Sequence, residues 1–399
     1  MNDMTSSDAS QEQRAHDLHK KAIIIDTMYP DPRGVIPCGI FEDLYSETVL
    51  KTVTEMCQGG RSFHSIFKFI EDQVVSDAKT HETFMSTIRE SGITAGSVTQ
   101  GGIFGDPHFS HEGTVRDIAG WIRRFSRLED VYTAITKAED IRTAKKGGKV
   151  GILMNFQNST QIGKDLGQLD FFHDRGARII QLTYNIKNVS GDGCTEPTDG
   201  GLSHFGVNLV ARMNALGIVV DLSHCGYKTT MDAIEVSKMP VAFTHTNCRS
   251  LHDHPRNKTD EQIRALADKE GYLGITCHPL FLGKGSSSTL NTLLDHIDYA
   301  VNLIGINHIG IGSDFAGMHH YPEAIMIKSI QEDLPAQGWR EEDGVKTWEG
   351  FKSAMQKLKH WNMRYRDIIR GLLSRGYSDG DIEKIIGGNF VRFFEKVVG

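Results

Sequence analysis

Long apolar runs, paired cysteines and an excess of positive charge are all missing from this chain of 399 residues. No window of about eighteen consecutive apolar residues exists to span a membrane, and the polar opening MNDMTSSDASQEQRAHDLHKK has no hydrophobic signal core. The expectation is a soluble protein that stays in the cytoplasm and has no membrane partner. Six cysteines, Cys38, Cys57, Cys194, Cys225, Cys248 and Cys277, lie far apart with no CxxC among them. A disulfide framework is not expected in so large a chain, and the thiols read as reduced. The formal net charge is −7, which leaves no electrostatic footprint for nucleic acid.

What is present is alternation. Short apolar runs and helix-spaced segments succeed each other from Ala22 to the end, and 39% hydrophobic residues suffice for one large core. Residues 1–18 read as disordered or at most a frayed helix, and residues 19–399 as one domain. Strands are expected at Ala22–Asp26, Gly92–Gly102, Lys149–Gln157, Ala177–Asn185, Ile218–Val220, Val241–Phe243, Gly271–Pro279 and Asn307–Gly317. Helical spacing fills Phe41 to about Arg89, with a break at Gly59-Gly60, and also Thr114 to Lys146. Asn389 is placed to cap the last helix. Strand and helix alternating eight times without a break in composition describe a (β/α)8 barrel, an α/β fold whose active site lies at the carboxyl ends of the strands.

Two of those ends carry histidine. Ile218-Val219-Val220 runs into DLSH, ending at His224, and Val241-Ala242-Phe243 runs into FTH, with His245. Adjacent parallel strands bring such ends to about 5 Å, so two imidazoles there can share one metal ion. A single histidine would read as a helix cap or the partner of a backbone carbonyl. Two at matching points of successive units, followed by HPRN, favour a ligand pair.

Other strand ends carry Gln157, Tyr184, Cys277 with His278, and Asp314. Asp314, in IGSDFAG, suits a general base or a ligand, with a helix cap as the alternative. Arg256, in HPRNKTD, offers a planar guanidinium to a substrate carboxylate. Its alternative is a surface ion pair with Asp253 or Asp260. Thr259 reads as the N-cap of DEQIRALAD. Tyr184 and Gln157 are neutral hydrogen-bonding groups at the mouth, or equally satisfied polar groups on strand ends.

Together DLSH, the histidine after the sixth strand, HPRN, GLSHFG, RMNALGIVVDLSH, IGSDFAG and GGNFVRFFE resemble the renal (membrane) dipeptidase family of zinc peptidases. The likeness runs from about Val150 to the end and more weakly back to Ala22. It implies a TIM barrel of the metal-dependent amidohydrolase type, with a binuclear zinc site and dipeptide cleavage in typical members. It further implies that His224 and His245 hold one zinc, that Asp314 is the acid/base, and that Arg256 with Asn257 holds the substrate carboxylate. Family members are often dimeric, so the resemblance also implies a possible homodimer.

The chain departs from the family at three places. Met28-Tyr29-Pro30 stands where a His-x-Asp supplies two ligands, Gln157 where a glutamate bridges both metals, and Tyr184 where a histidine faces the substrate. Two dications held close together need anionic ligands, and these changes remove two negative charges. At most one ion, zinc or another divalent metal, is expected on His224 and His245. Its third ligand would come from Asp314, Cys194, Cys248, Cys277, His278, His319 or His320.

The expected activity is hydrolysis of an amide bond in a small carboxylate-bearing substrate. Asp314 would act as base and Tyr184 would donate to the developing oxyanion, with Arg256, Asn257 and Gln157 on the substrate. Two alternatives stay open: a metal-free or mononuclear lyase, isomerase or cyclic-amide hydrolase, and a non-catalytic small-molecule-binding protein.

Overall fold

The computed structural model describes residues 6–29, 45–102, 109–283, 288–314 and 365–399. The strands in these residues are β1 Ile25–Asp26, β2 Ala95–Thr99, β3 Tyr132–Ala134, β4 Val150–Phe156, β5 Ala177–Gln181, β6 Val219–Asp221, β7 Ala242–Thr246, β8 Tyr272–Ile275 and β9 Ile309–Ile311. All but β3 follow one another in a single parallel sheet, in the order β1-β2-β4-β5-β6-β7-β8-β9. Its ends meet where the N–H of Thr27 donates to the carbonyl of Ile311 at 3.0 Å and the N–H of Asp314 to that of Met28 at 2.9 Å. The result is a nearly closed eight-stranded barrel of the TIM type.

Apolar residues within each strand divide by parity, as the alternation of a strand requires. Ile25, Ala95, Leu153, Ile179, Val219, Ala242 and Tyr272 form one cluster, the lumen. Ile180, Val220 and Phe243, each one residue further on, pack in the layer beneath the helices. The helix Asn389–Val397 plugs the lumen from the amino-terminal end of the strands, its Phe390 ring meeting Tyr272 nearly edge-on at 5.2 Å. Asp221 and Thr244, two residues past Val219 and Ala242, continue the inward rows toward the mouth. The lumen is tight at that level. The Thr27 hydroxyl donates to the Thr244 carbonyl at 2.6 Å, and a Cβ at Gly274 or Gly312 would collide with the same carbonyl.

The structure revises several expectations. Residues 6–18 belong to a helix, Ser6–Lys21, with Ala15 and Leu18 buried against the helix Tyr365–Ser374. So narrow an apolar stripe in a polar composition hid it. The helical stretch expected over Thr114–Lys146 is two helices, His111–Arg127 and Ala138–Gly147, with β3 between them. β3 pairs in parallel with β4, Tyr132 opposite Val150, and the buried Leu128 and Val131 serve that edge rather than a helix face. Asn389 does not cap the last helix. Its amide donates to the carbonyls of Ile306 at 2.7 Å and Ile309 at 2.8 Å, tying that helix to the start of β9.

Thr259 does cap Asp260–Asp268: its hydroxyl receives the N–H of Gln262, whose side chain returns to the N–H of Thr259. Among the described residues no helix is long and apolar enough to cross a membrane.

Candidate active site

The register of β6 on β7, Asp221 opposite Ala242, sets the two strand-end histidines side by side. His224 and His245 are buried, and their Nε2 atoms lie 2.9 Å apart. Nδ1 of His224 is 2.7 Å from Oδ1 of Asn185, which can only accept. Nδ1 of His245 is 2.8 Å from the hydroxyl of Thr244, whose own proton goes to Asp221 Oδ2 at 2.6 Å. This network assigns the Nδ1–H tautomer to both rings. Burial, followed by the nearby Arg256 guanidinium, holds both imidazoles well below their usual range, so both are neutral. Two nitrogen lone pairs therefore face each other with no proton between them. Such opposed donors repel unless a cation lies between, and neutral imidazole nitrogens are what zinc and similar ions take. The imidazole half of the mouth fits one divalent ion.

The pair is held from behind. The carboxylate of Asp221 accepts the hydroxyls of Ser223 and Thr244, each at 2.6 Å, and the N–H groups of the same two residues, each at 3.1 Å. Burial raises this carboxyl, and those four donors work against the rise. Two buried cations brace the backbone around His224. Arg256 donates to the carbonyls of Ser223 at 2.6 Å and His245 at 3.1 Å, and Lys258 donates to the carbonyl of Cys225 at 2.8 Å. Burial brings the Lys258 ammonium down to about 8. Tyr184 stacks on His224 with ring centroids 4.0 Å apart and meets Phe109 at 5.0 Å.

Sequence reasoning did not find Asn185, Asp221, Thr244 or Lys258. Local signals existed, an Asp three residues before one histidine and a Thr directly before the other, but only the strand register turns them into contacts.

Asp314 has φ 59, a left-handed conformation that costs a non-glycine residue energy. Its N–H bond to Met28 helps hold it there. Burial pushes its carboxyl up to about 6, with Arg256 acting in the opposite direction. Arg256 is only 1% exposed, so the surface ion pair considered for it is ruled out. Asp253 pairs with Arg249 at 2.7 Å, and Asp260 accepts from Tyr299 at 2.7 Å. Nε of Arg256 is buried with no hydrogen-bond partner among the described residues. A buried guanidinium with an unpaired N–H is a ready seat for an anion. The amide N–H groups of Asn257 hold the loop, donating to the carbonyls of His252 at 2.9 Å and Phe281 at 2.8 Å. Its Oδ1 is buried with no hydrogen-bond partner among the described residues.

Among the described residues, Gln157, Thr99, Asn155 and Met28 form a neutral set on the other side of the mouth. Gln157 donates to the Thr99 hydroxyl at 2.9 Å, and Thr99 donates to Asn155 at 3.1 Å, with the Met28 sulfur 3.7 Å away. An amide, a hydroxyl and a thioether bonded to one another do not fit a second dication. Pro30, His319 and His320 lie outside the described residues. Of the remaining third-ligand candidates, Cys248 faces the His296 carbonyl at 3.8 Å, Cys194 faces Asn185 at 3.5 Å, and His278 stacks on Phe281 at 4.2 Å. Burial pushes the Cys277 thiol well above its usual range. Among the described residues no group of three or more His, Cys, Asp or Glu is placed to hold a metal ion.

A nearly closed parallel barrel with functional groups gathered at the carboxyl ends of its strands is the arrangement of a TIM-barrel enzyme. Residues 103–348 match the model of the membrane dipeptidase family, peptidase family M19, and the chain belongs to that family. It is 31% identical over 249 residues to dipeptidase aclJ of Aspergillus oryzae, covering 61% of this chain and 51% of that protein. It is 29% identical over 294 residues to dipeptidase tcpJ of Claviceps purpurea, covering 72% and 61%. The chain thus spans only 51% to 61% of the length of these curated relatives. Among solved structures it resembles an amidohydrolase from Pseudomonas aeruginosa at 28% identity and TM-score 0.69, over 96% of this chain and 99% of that one. The dipeptidase AC, 21% identical with TM-score 0.63 over 82% and 96%, shares the fold.

Proposed function

We propose that this chain is a hydrolase of small amides that carry a free carboxylate, such as dipeptides, and that it works with at most one divalent ion. The observation that carries this reading is the 2.9 Å approach of two unprotonated Nε2 atoms, on His224 and His245. These two side chains would hold the ion, zinc or another divalent metal, which supplies Lewis acidity toward water and the substrate carbonyl. The neutral set of Met28, Thr99 and Gln157 supports one ion rather than two.

The remaining work belongs to side chains. Arg256 offers its unpaired Nε–H to the substrate carboxylate, fixing which amide bond faces the histidines. Asp314, with its carboxyl at about 6, is ionised at neutral pH and takes a proton from the attacking water. The same carboxyl then returns that proton to the leaving nitrogen. Tyr184 covers His224 with its ring, which excludes water from that face, and its hydroxyl donates to the developing oxyanion. Gln157 lines the substrate side.

A panel of dipeptides and cyclic amides tests the reading, assayed before and after chelation. Turnover that a chelator abolishes and one equivalent of zinc restores is the expected result. Turnover indifferent to chelation would overturn the metal assignment. A second reading, a carboxylate-binding protein without turnover, draws support from the lack of a three-ligand group among the described residues. Dipeptides that raise the melting temperature without ever being cleaved would favour it.

A further inference from the structure

At the end of the barrel opposite the histidines, a cavity of about 760 Å³ opens beside the amino-terminal ends of β2 and β4, between Ile93-Thr94 and Lys149-Val150. Three helices finish on it: Ser6–Lys21 contributes Lys20, Ala78–Ser91 contributes Arg89, and Ala138–Gly147 contributes Lys145. Lys149 and Arg366 complete a wall whose one carboxylate among the described residues is Glu90.

The charges there do not cancel. Lys21 and Arg142, close by in sequence but outside the cavity, are ion-paired, to Glu383 and to Glu139 with Glu395. Lys20, Arg89, Lys145 and Lys149 make no ion pair among the described residues, and only Arg366 has one, with Glu12. Five cations against Glu90 and Glu12 leave three positive charges. Three helix C-termini offset only about half a charge each.

Three further observations agree. His19, 9% exposed, has no charged hydrogen-bond partner among the described residues: its Nε2 meets the Ser91 carbonyl at 3.0 Å. Burial lowers its imidazole, and Lys145, Arg366 and His16 all push the same way. Lys145 is half-buried, bonded among the described residues only to the Lys20 carbonyl at 3.1 Å, and burial alone lowers its ammonium. The Nε of Arg366 is buried without a hydrogen-bond partner among the described residues. In a chain of net charge −7 this is a local and opposite field.

We propose that this cavity binds a small, multiply charged phosphate compound, a polyphosphate or a phosphate ester. Its volume lies within the range of small-molecule sites, about 300–1,000 Å³, and exceeds what one phosphate ion fills. Ammonium groups act as point charges toward phosphate oxygens from several directions, and the Arg366 guanidinium adds a further cation to the wall. The site lies away from the histidine mouth and does not depend on the activity assigned there.

Titration calorimetry on the full chain at about 150 mM salt, where weak surface attraction is screened, tests this with pyrophosphate, with ATP, and with citrate as a polycarboxylate control. One saturable site for a phosphate ligand is expected, weakened about tenfold by Lys145→Ala and by Lys149→Ala, with citrate much weaker. Lys20→Ala, on an exposed side chain that supports no other element, gives the same loss without a folding risk. No saturable binding of either phosphate compound would overturn the proposal. So would binding that all three lysine variants leave unchanged, or citrate binding as tight as pyrophosphate.

Discussion

The Nδ1 of His245 lies 2.8 Å from the hydroxyl of Thr244, and that hydroxyl is itself donated to Asp221 at 2.6 Å. A carboxylate buried in the lumen thus dictates which nitrogen of a mouth histidine carries its proton. Thr244→Val keeps the shape and removes the link, leaving the His245 N–H without an acceptor and Asp221 with one donor fewer. Stability should fall by about 1–3 kcal/mol, and metal affinity by about 10–100-fold. Chemical denaturation and metal titration read the two separately. Lost stability with unchanged metal affinity would reduce Thr244 to a packing residue.

Asp314 must be ionised to accept a proton, and burial has moved its carboxyl up to about 6. The pH profile of kcat/KM should therefore decline as pH drops through about 6. Asp314→Asn should lower kcat by roughly 10²–10⁴ and abolish that acidic limb. A limb that survives in the variant would assign it to another group.

Asp26 tests the cost of burial. Its carboxyl is raised from 3.8 to about 7 by desolvation, against hydrogen bonds from Ser313 and Met28. A raised folded-state value means the folded chain holds this proton more tightly than the unfolded one. The contribution is full below 3.8 and is lost as pH rises through about 7. Asp26→Asn keeps an acceptor for the N–H groups of Met28 at 3.1 Å and Ser313 at 2.8 Å. Urea denaturation across this range should show the variant gaining on the wild type by roughly 1–4 kcal/mol as pH rises. A constant difference at every pH would contradict the assignment.

Arg256 divides its guanidinium between two carbonyls and an unpaired N–H, which an ammonium cannot do. Arg256→Lys should cost roughly a hundredfold in kcat/KM, mostly through KM. The loss should be confined to substrates with a free carboxylate. An equal loss on carboxamide analogues would mean that the change acts through the backbone of Ser223 and His245 alone.

His224 and His245 were legible as strand-end residues because each closes a short motif, DLSH or FTH, that follows an apolar run. Their supports were not. Asn185, Asp221 and Lys258 reach the pair through strand register and buried loops, which no spacing in the chain encodes. For Arg256 the alternative of a surface ion pair stood open in the sequence until burial removed it. β3 was hidden for a similar reason: its few residues carry no alternation long enough to interrupt the helical pattern around them. The basic cavity is less visible still, since Lys20, Arg89, Lys145, Lys149 and Arg366 come from separate stretches of the sequence.

Metal content of purified chain, measured by mass spectrometry after exposure to excess zinc and desalting, tests the single-ion centre most directly. One ion per chain is expected, falling toward zero in both His224→Ala and His245→Ala. Two ions per chain, or one that survives both substitutions, would contradict it.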